Sequence, residues 1–422
     1  MSQATLKISP SRQVFILGLV LLFVGSFSAL GILGLKLADK DAGILSRLHP
    51  TFYLIIPFLF LQFITHGKMR GNAAWEHDGV LAPNQRSLRR AYIAHAGIVV
   101  VAIAASILGI THGSIANSVT TFLLPVFCYA GINRLSPADL RTIRNALLIF
   151  MLVNSLLGIA EKAFEFRLFA YTVGLNEKLN DPRPTAWLSH PLNNALLTAL
   201  VLTYLMYSKR TIAFRIPMIA VHGFALICFG GRTAIVALLA LLALDYCLSW
   251  ARAATGRNAL PLVGKTLALL IAAGAIAVMI NLGYLDDLIR RFSEDSGSAS
   301  VRWQTLDLIN GVDFRSIPLG ISNEGLEQAL SYYGIYNIEF SWLSLILMHG
   351  LVLGSALVAS LVFLLLRLGW SLGRPASYMA VLFVVVTFGY TSIGSSSLLI
   401  AQLLVLMAAF QETNFTHIRR TN

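Results

Sequence analysis

Charge is the scarcest property of this chain. Of its 422 residues, 12% are charged, against about 25% in an ordinary soluble domain. The shortage is sharper on the acidic side, with 20 Asp and Glu to 32 Lys and Arg. Cysteine is scarcer still: Cys128, Cys228 and Cys247 each sit inside an apolar run. That pattern excludes a disulfide framework and offers no sign of thiol catalysis. Polar linkers are missing too, although a soluble chain of this length would divide into domains separated by them. The chain therefore reads as one undivided unit over 1–422. Metal-ligand spacing is confined to Glu76-His77-Asp78, which has no second cluster to complete it. No metal and no cofactor is expected.

Apolar sequence fills the space. Hydrophobic residues make up 56% of the chain and the mean hydropathy is +0.72. Apolar runs recur along the whole length, each near the ~20 residues that cross the hydrocarbon as a helix. They predict spans at about 14–35, 50–66, 91–110, 115–132, 142–163, 186–208, 214–230, 233–250, 262–283, 337–366, 376–392 and 396–411. The fold class is all-α integral membrane, with about twelve transmembrane helices. Lys7 and Arg12 precede the first run and small residues follow near Ser26–Ala29, as in a signal peptide. Its apolar character continues to Leu37, too long for a cleaved segment, so it is kept as a span.

Lys and Arg then orient the chain. With the N-terminus inside, one cytoplasmic loop carries Lys68, Arg70, Arg86, Arg89 and Arg90, and the next Arg134, Arg141 and Arg144. Lys209, Arg210 and Arg215 follow, then Arg252, Arg257 and Lys265, then Arg367 and Arg374, with Arg419 and Arg420 on the tail. This is the positive-inside pattern of a multi-pass protein of a bacterial inner membrane with both termini cytoplasmic. The basic pI of about 9.8 is thus a topology signal. It implies contact with anionic membrane lipids and no nucleic-acid partner.

Two external loops are long, at about 164–185 and 284–336. The second is the only one large enough for a periplasmic subdomain, between helices 9 and 10. Within it Ser300–Gly311 reads as a helix, with Ser298 or Ser300 as N-cap. Val301, Thr305, Leu308 and Val312 share one face, which suits a helix lying along the membrane surface. Polar residues gather at four external places: Arg183 through His190, Pro191 and Asn194; the tight hairpin Gly230-Gly231-Arg232; Arg290-Arg291 with Arg302-Trp303; and Glu339, at the start of a span. An ionisable group in a span costs on the order of 3 kcal/mol, so each is a functional candidate. Converging arginines suit a phosphate, which a guanidinium grips bidentately. One carboxylate beside them suits a general base.

Each has a plainer reading. Arg232 and Arg302 can anchor helix ends at head groups, Arg183-Pro184 can set a turn, and Arg290 and Arg291 can face solvent. His190 suits a structural interface histidine, and His349, in the middle of the tenth span, suits a bond to another helix. Trp303, Tyr332, Tyr333 and Tyr336 suit an aromatic belt as well as sugar stacking.

The segment Arg183 to Asn194 resembles the "R-x-x-G-x-x-x-x-P-N" segment of the O-antigen ligase and Wzy-type polymerase superfamily. Gly231-Arg232-Thr233-Ala234 is similar to that family's "S-R-x-A" helix start. Ser300-Val301-Arg302-Trp303 with Pro318-Leu319-Gly320 resembles its external-loop pattern. Glu339 through Gly350 and Gly354 resembles its "H-N-x-x-L…G-L-x-G" helix. The four stand in the family's order across about residues 180–355. The resemblance implies a GT-C-like glycosyltransferase without cofactor, acting on undecaprenyl-diphosphate-linked glycan as donor and acceptor. A flippase and a chain-length regulator of the export pathway are the implied partners. Glu339 would be catalytic with Arg232; Arg302, Arg183, Arg290, Arg291, His190 and Trp303 would bind substrate. Glu339 stands where ligases have histidine and Gly231 where they have serine, which points toward exopolysaccharide or O-antigen polymerases. Ligation of glycan to lipid A core or protein, and transport, are the alternatives.

Overall fold

The computed structural model describes residues 10–35, 43–66, 85–170, 183–254, 318–334, 340–389 and 396–411, with isolated positions between these ranges. Apart from Asn281, which is helical, the expected span at 262–283 lies outside the described residues, as do Arg291, Arg302, Trp303, Tyr336 and Glu339.

Among the described residues the fold is helical apart from one pair of two-residue strands, Thr172–Val173 antiparallel to Asn176–Glu177. In chain order the helices are α1 (Pro10–Val24), α2 (Phe27–Ile32), α3 (Pro50–His66) and α4 (Gln85–Ile107). Next come α5 (Ile115–Ile132), whose turn at Val119–Leu123 is π-helical, α6 (Pro137–Ala163), α7 (Pro191–Tyr207), α8 (Ile212–Phe229) and α9 (Arg232–Ala254). The last five are α10 (Asn323–Tyr332), α11 (Ser341–His349), α12 (Leu351–Leu372), α13 (Arg374–Phe388) and α14 (Leu399–Ala409). Six described helices are long and apolar enough to cross a membrane: α4, α5, α6, α8, α9 and α12. Shorter apolar helices form part of α1, part of α3, and α13 and α14.

Packing explains which helices sit inside. Every residue of α14 is buried, and α7 is buried from Asn194 to Leu205. A helix apolar all round belongs in the middle of a bundle. Around them, α9 leaves Val236, Leu239, Leu244 and Leu248 exposed, and α4 leaves Ile93, Val100 and Val101, the faces expected to meet lipid. Hydrophobicity does not drive helices together in lipid, so small residues matter. Gly131 of α5 lies against the Phe15 ring of α1, and Gly158 of α6 against Phe229 of α8, each leaving no room for a Cβ.

Side-chain contacts sort the helix ends onto two faces. On the first, here termed the basic face, Arg12 lies 3.5 Å from Asp139 at the start of α6, and Arg374, at the start of α13, pairs with Asp245 in the second half of α9. On the second, the loop face, Trp187 donates through Nε1 to the Val24 carbonyl (2.6 Å), and His49 through Nε2 to the Gly25 carbonyl (2.7 Å).

Three expectations are corrected. The run 14–35 is two helices, because the chain breaks at Gly25; the freed carbonyl there is taken by buried His49, and Ser26 caps the next turn by accepting from Ala29 N–H. The run 337–366 is also two helices, α11 and α12, separated by Gly350 at φ 84°. A Cβ on Gly354 would meet the Leu345 carbonyl oxygen at 2.6 Å, so α11 folds back against α12 and the chain reverses at the loop face. His349 therefore sits at a hairpin tip, buried, 3.5 Å from Ser118 Oγ and flat against Gly113. The tip is clasped: the α11 carbonyls of Leu347 and Met348, orphaned at a helix end, accept from Ile321 N–H (2.7 Å) and His112 N–H (3.1 Å). Finally, Thr305 and Leu308 are helical but fully buried. Leu308 joins Ile321, Leu326, Ile338, Leu343 and Leu347 in a second apolar cluster, so that helical face packs on protein and not along a membrane surface. Val301 and Val312, on the same expected face, lie outside the described residues.

Candidate functional site

The most elaborate polar construction described lies on the loop face, where the chain from Arg183 to His190 enters α7. These residues form no regular element beyond turns, and their backbone polar groups still need partners. Helix α6 supplies them from Asn154 and Glu161, seven residues and so two turns apart on one side of the helix. Glu161 is 2% exposed. Its carboxylate accepts from Thr185 N–H (2.7 Å) and Ala186 N–H (2.8 Å) through one oxygen and from Leu168 N–H (2.8 Å) through the other. Asn154 accepts from Trp187 N–H (3.0 Å) and donates to Asn194 Oδ1 (2.7 Å). Asn194, in the first turn of α7, donates to the carbonyls of Thr185 (2.6 Å) and His190 (3.0 Å). Three consecutive N–H groups, 185 to 187, are thus captured by α6.

The segment is also strained. Ala186 (φ 41°) and Ser189 (φ 59°) occupy the left-handed region without being glycine. Each such residue costs about 1–3 kcal/mol and persists only where its surroundings over-determine it. The cradle does this, since hydrogen bonds to a charged acceptor contribute about 1.5–3 kcal/mol each. His190 closes the segment as the N-cap of α7, its Nδ1 accepting from Leu192 N–H (3.2 Å).

Arg232 reaches the same place from another direction. Helix α8 stops at Gly230, whose φ of 63° suits glycine, and α9 begins two residues later. A Cβ at Gly231 would run into the Ala195 Cβ, so the hairpin lies directly on the first turn of α7, one residue from Asn194. Arg232 is half-buried at the N-terminus of α9, an end that favours anions through its free N–H groups and the helix dipole.

The third component is the end of α13. Thr233 Cγ2 would be 3.4 Å from a Cβ on Gly389, just beyond α13. Thr387 and Phe388 line an apolar groove together with Ser341, Trp342, Val358 and Phe383. The start of α11 therefore dips below its own hairpin tip to the level where α13 ends beside α9.

Of the expected site residues, Arg183, His190 and Arg232 are brought to one end of α7. Arg290 is exposed in a helical stretch. Tyr332 is exposed at the end of α10, edge to face with Tyr333 at 5.1 Å. Glu339, Arg302, Trp303 and Arg291 lie outside the described residues, although Ile338 and Phe340 on either side of Glu339 are placed, with Ile338 in the apolar cluster beneath α10. Among the described residues no group of His, Cys, Asp and Glu is arranged to hold a metal. Sequence reasoning missed Glu161, Asn154 and Asn194 as a unit. One signal was present: an ionisable residue in the last turn of an apolar helix is a candidate by default. The partners of Glu161 lie up to 25 residues away along the chain and Asn154 and Asn194 are 40 apart, and no local pattern announces them. No protein-family model matches the chain, and no curated protein is significantly similar to it.

Proposed function

We propose that the protein is an inverting membrane glycosyltransferase that polymerises undecaprenyl-diphosphate-linked repeat units into exopolysaccharide or O-antigen. In this reading the chain has about twelve spans in a GT-C-like arrangement, and the loop face is periplasmic. The basic face, with both termini, is then cytoplasmic in a bacterial inner membrane. The observation that carries the reading is the gathering of Arg183 and Arg232 around the first turn of α7. The start of α11, which follows Glu339, faces the neighbouring end of α13. These are three of the four stretches that resemble the polymerase and ligase superfamily.

The chemistry follows from those groups. Arg232, with Arg183 and Arg302, holds the diphosphate of the lipid-linked donor chain and stabilises charge as it leaves. Glu339 takes the proton from a hydroxyl of the incoming repeat unit. That oxygen attacks the anomeric carbon from the face opposite the phosphate, the bond from carbon to phosphate oxygen breaks, and undecaprenyl diphosphate departs with the electron pair. Arg290, Arg291, His190 and Trp303 are assigned to contacts with the glycan. Transfer to lipid A core or protein would use the same groups with another acceptor.

Transport is a second reading, favoured by one observation, the helix break at Gly350, since discontinuous helices mark many transporters. Here the chain reverses after the break and does not continue across, so α11 and α12 form a hairpin. The deciding experiment is the size distribution of surface and lipid-linked glycan in strains carrying Arg232→Ala or Glu339→Gln. Single repeat units on the carrier with loss of long polymer, while the protein remains in the membrane, is the expected result. Unchanged polymer length with Arg232→Ala overturns the assignment. Long polymer left on its carrier identifies a ligase, and repeat units retained on the cytoplasmic side identify a transporter.

A further inference from the structure

The chain leaves α6 at Ala163 and returns to the bundle at Arg183, and Glu161 holds both ends of that excursion. One carboxylate oxygen receives the outgoing chain at Leu168 and the other the returning chain at Thr185 and Ala186. The Thr185 hydroxyl adds a bond to the Phe169 carbonyl (2.8 Å), and the Phe169 and Trp187 rings pack edge to face at 5.9 Å. The two strands of the excursion are therefore tied at its neck.

The tie is transmitted to Arg183 by a stiff link. Buried Pro184 lies between Arg183 and Thr185. Proline fixes its own φ and drives the residue before it into extended conformation. With Thr185 and Ala186 held by Glu161, the backbone of Arg183 has little freedom left. Arg232 is referred to the same frame, because Gly231 rests on Ala195 and the neighbouring Asn194 holds the Thr185 carbonyl. Two arginines that arrive 49 positions apart in sequence are set by one network.

We propose that Glu161 is a positioning residue, which acts through the backbone of Thr185 and Ala186 to fix Arg183 relative to Arg232 and so governs affinity for a polyprenyl diphosphate. The inference rests on the donor-binding reading given above. Glutamine at 161 keeps the length of the side chain but turns an N–H2 group toward backbone N–H donors, so part of the neck must let go.

The test is a double-mutant cycle on the full chain in lipid nanodiscs, with undecaprenyl diphosphate as the binding probe. Glu161→Gln and Arg183→Ala should each weaken binding about tenfold, the scale on which outer residues that orient a binding group act. The double variant should bind no more weakly than Arg183→Ala alone, because both changes remove the same contact. A general structural role for Glu161 would make the two losses multiply, and that result overturns the proposal, as does wild-type affinity in Glu161→Gln. Arg232→Ala separates the two levels of the argument. If it and Arg183→Ala both bind as wild type, the donor-binding reading fails and this inference with it. If they lose binding and Glu161→Gln does not, only the inference fails. Should Glu161→Gln not accumulate in the membrane, Asn154→Ala, which removes the acceptor of Trp187 N–H from the same cradle, is carried through the identical cycle.

Discussion

Carboxylates anchor chain at both faces of the bundle, and they do it differently. On the basic face, Asp139 sits in a capping box with Ser136, and Asp245 accepts from Tyr378 (2.7 Å) and pairs with Arg374. Both hold the start of a helix, α6 or α13, that propensity and hydropathy already specify. On the loop face, Glu161 with Asn154 and Asn194 holds a stretch that specifies no regular structure and includes two left-handed non-glycine residues. One face uses charge to finish helices; the other uses it to maintain a shape the local sequence would not adopt. Strain maintained by an over-determined network is the mark of a site. The contrast predicts that substitutions on the loop face cost more than chemically similar ones on the basic face.

The largest effect on stability should come from Gly350→Ala. The residue has φ 84° and ψ 162°, and a Cβ there would collide with the Pro318 carbonyl. Strained backbone and overpacking each cost about 1–3 kcal/mol, so about 4 kcal/mol is expected together. Gly97→Ala in α4 is the control, because a Cβ there meets nothing within 4 Å. Thermal unfolding in detergent should separate the two by about five degrees if the hairpin tip is clasped as described. Equal midpoints would mean that the 318–321 turn leaves the tip freely.

Asn194→Leu comes next. The side chain fits the helix, but the Asn154 amide and the Thr185 carbonyl lose their partner, while the His190 carbonyl keeps the backbone N–H of residue 194. Buried polar groups left unpaired cost about 1–3 kcal/mol each, with partial relaxation bringing the total to about 3 kcal/mol. Proteolysis of the 164–190 region should accelerate more than unfolding of the bundle does. Uniform loss across the molecule would show that the cradle and the bundle are one cooperative unit, and would blunt the distinction between the faces.

What could be read from sequence follows the same division. Hydropathy located the apolar helices, and the glycine pair before Arg232 marked a tight hairpin, because both depend on residues close together in the chain. The break at Gly350 was hidden, since Met348-His349-Gly350-Leu351-Val352 sits within a continuous apolar run and glycine is tolerated in membrane helices. What imposes the reversal is distant: the Pro318–Ile321 turn and the 112–113 backbone, which occupy the line a straight helix would take. The cradle was hidden for a similar reason, because the chain that Glu161 holds returns to it from up to 25 residues away. The positions of Arg183 and Arg232 could be proposed from motifs; that one asparagine and one glutamate on α6 would organise the Arg183 segment could not.

The smallest effect sharpens the contrast most, because the same chemical change can be made on both faces. Asp245→Asn and Glu161→Gln each replace a buried carboxylate with an amide of equal shape. At 245 the amide oxygen still accepts from Tyr378, and Arg374, 42% exposed, can turn to solvent and head groups while its guanidinium stays over the Tyr207 ring at 5.2 Å. A half-exposed ion pair contributes about 0–1 kcal/mol, so Asp245→Asn should cost less than about 1 kcal/mol. At 161 three backbone N–H donors converge on the two oxygens of a carboxylate that is 2% exposed, and an amide can serve them with one oxygen alone. There the cost should be about 1–3 kcal/mol. Unfolding midpoints of the two variants in one detergent measure the difference directly. If Asp245→Asn is the more damaging, the basic face is the more tightly determined end of the molecule, and the strain at Ala186 and Ser189 needs another support.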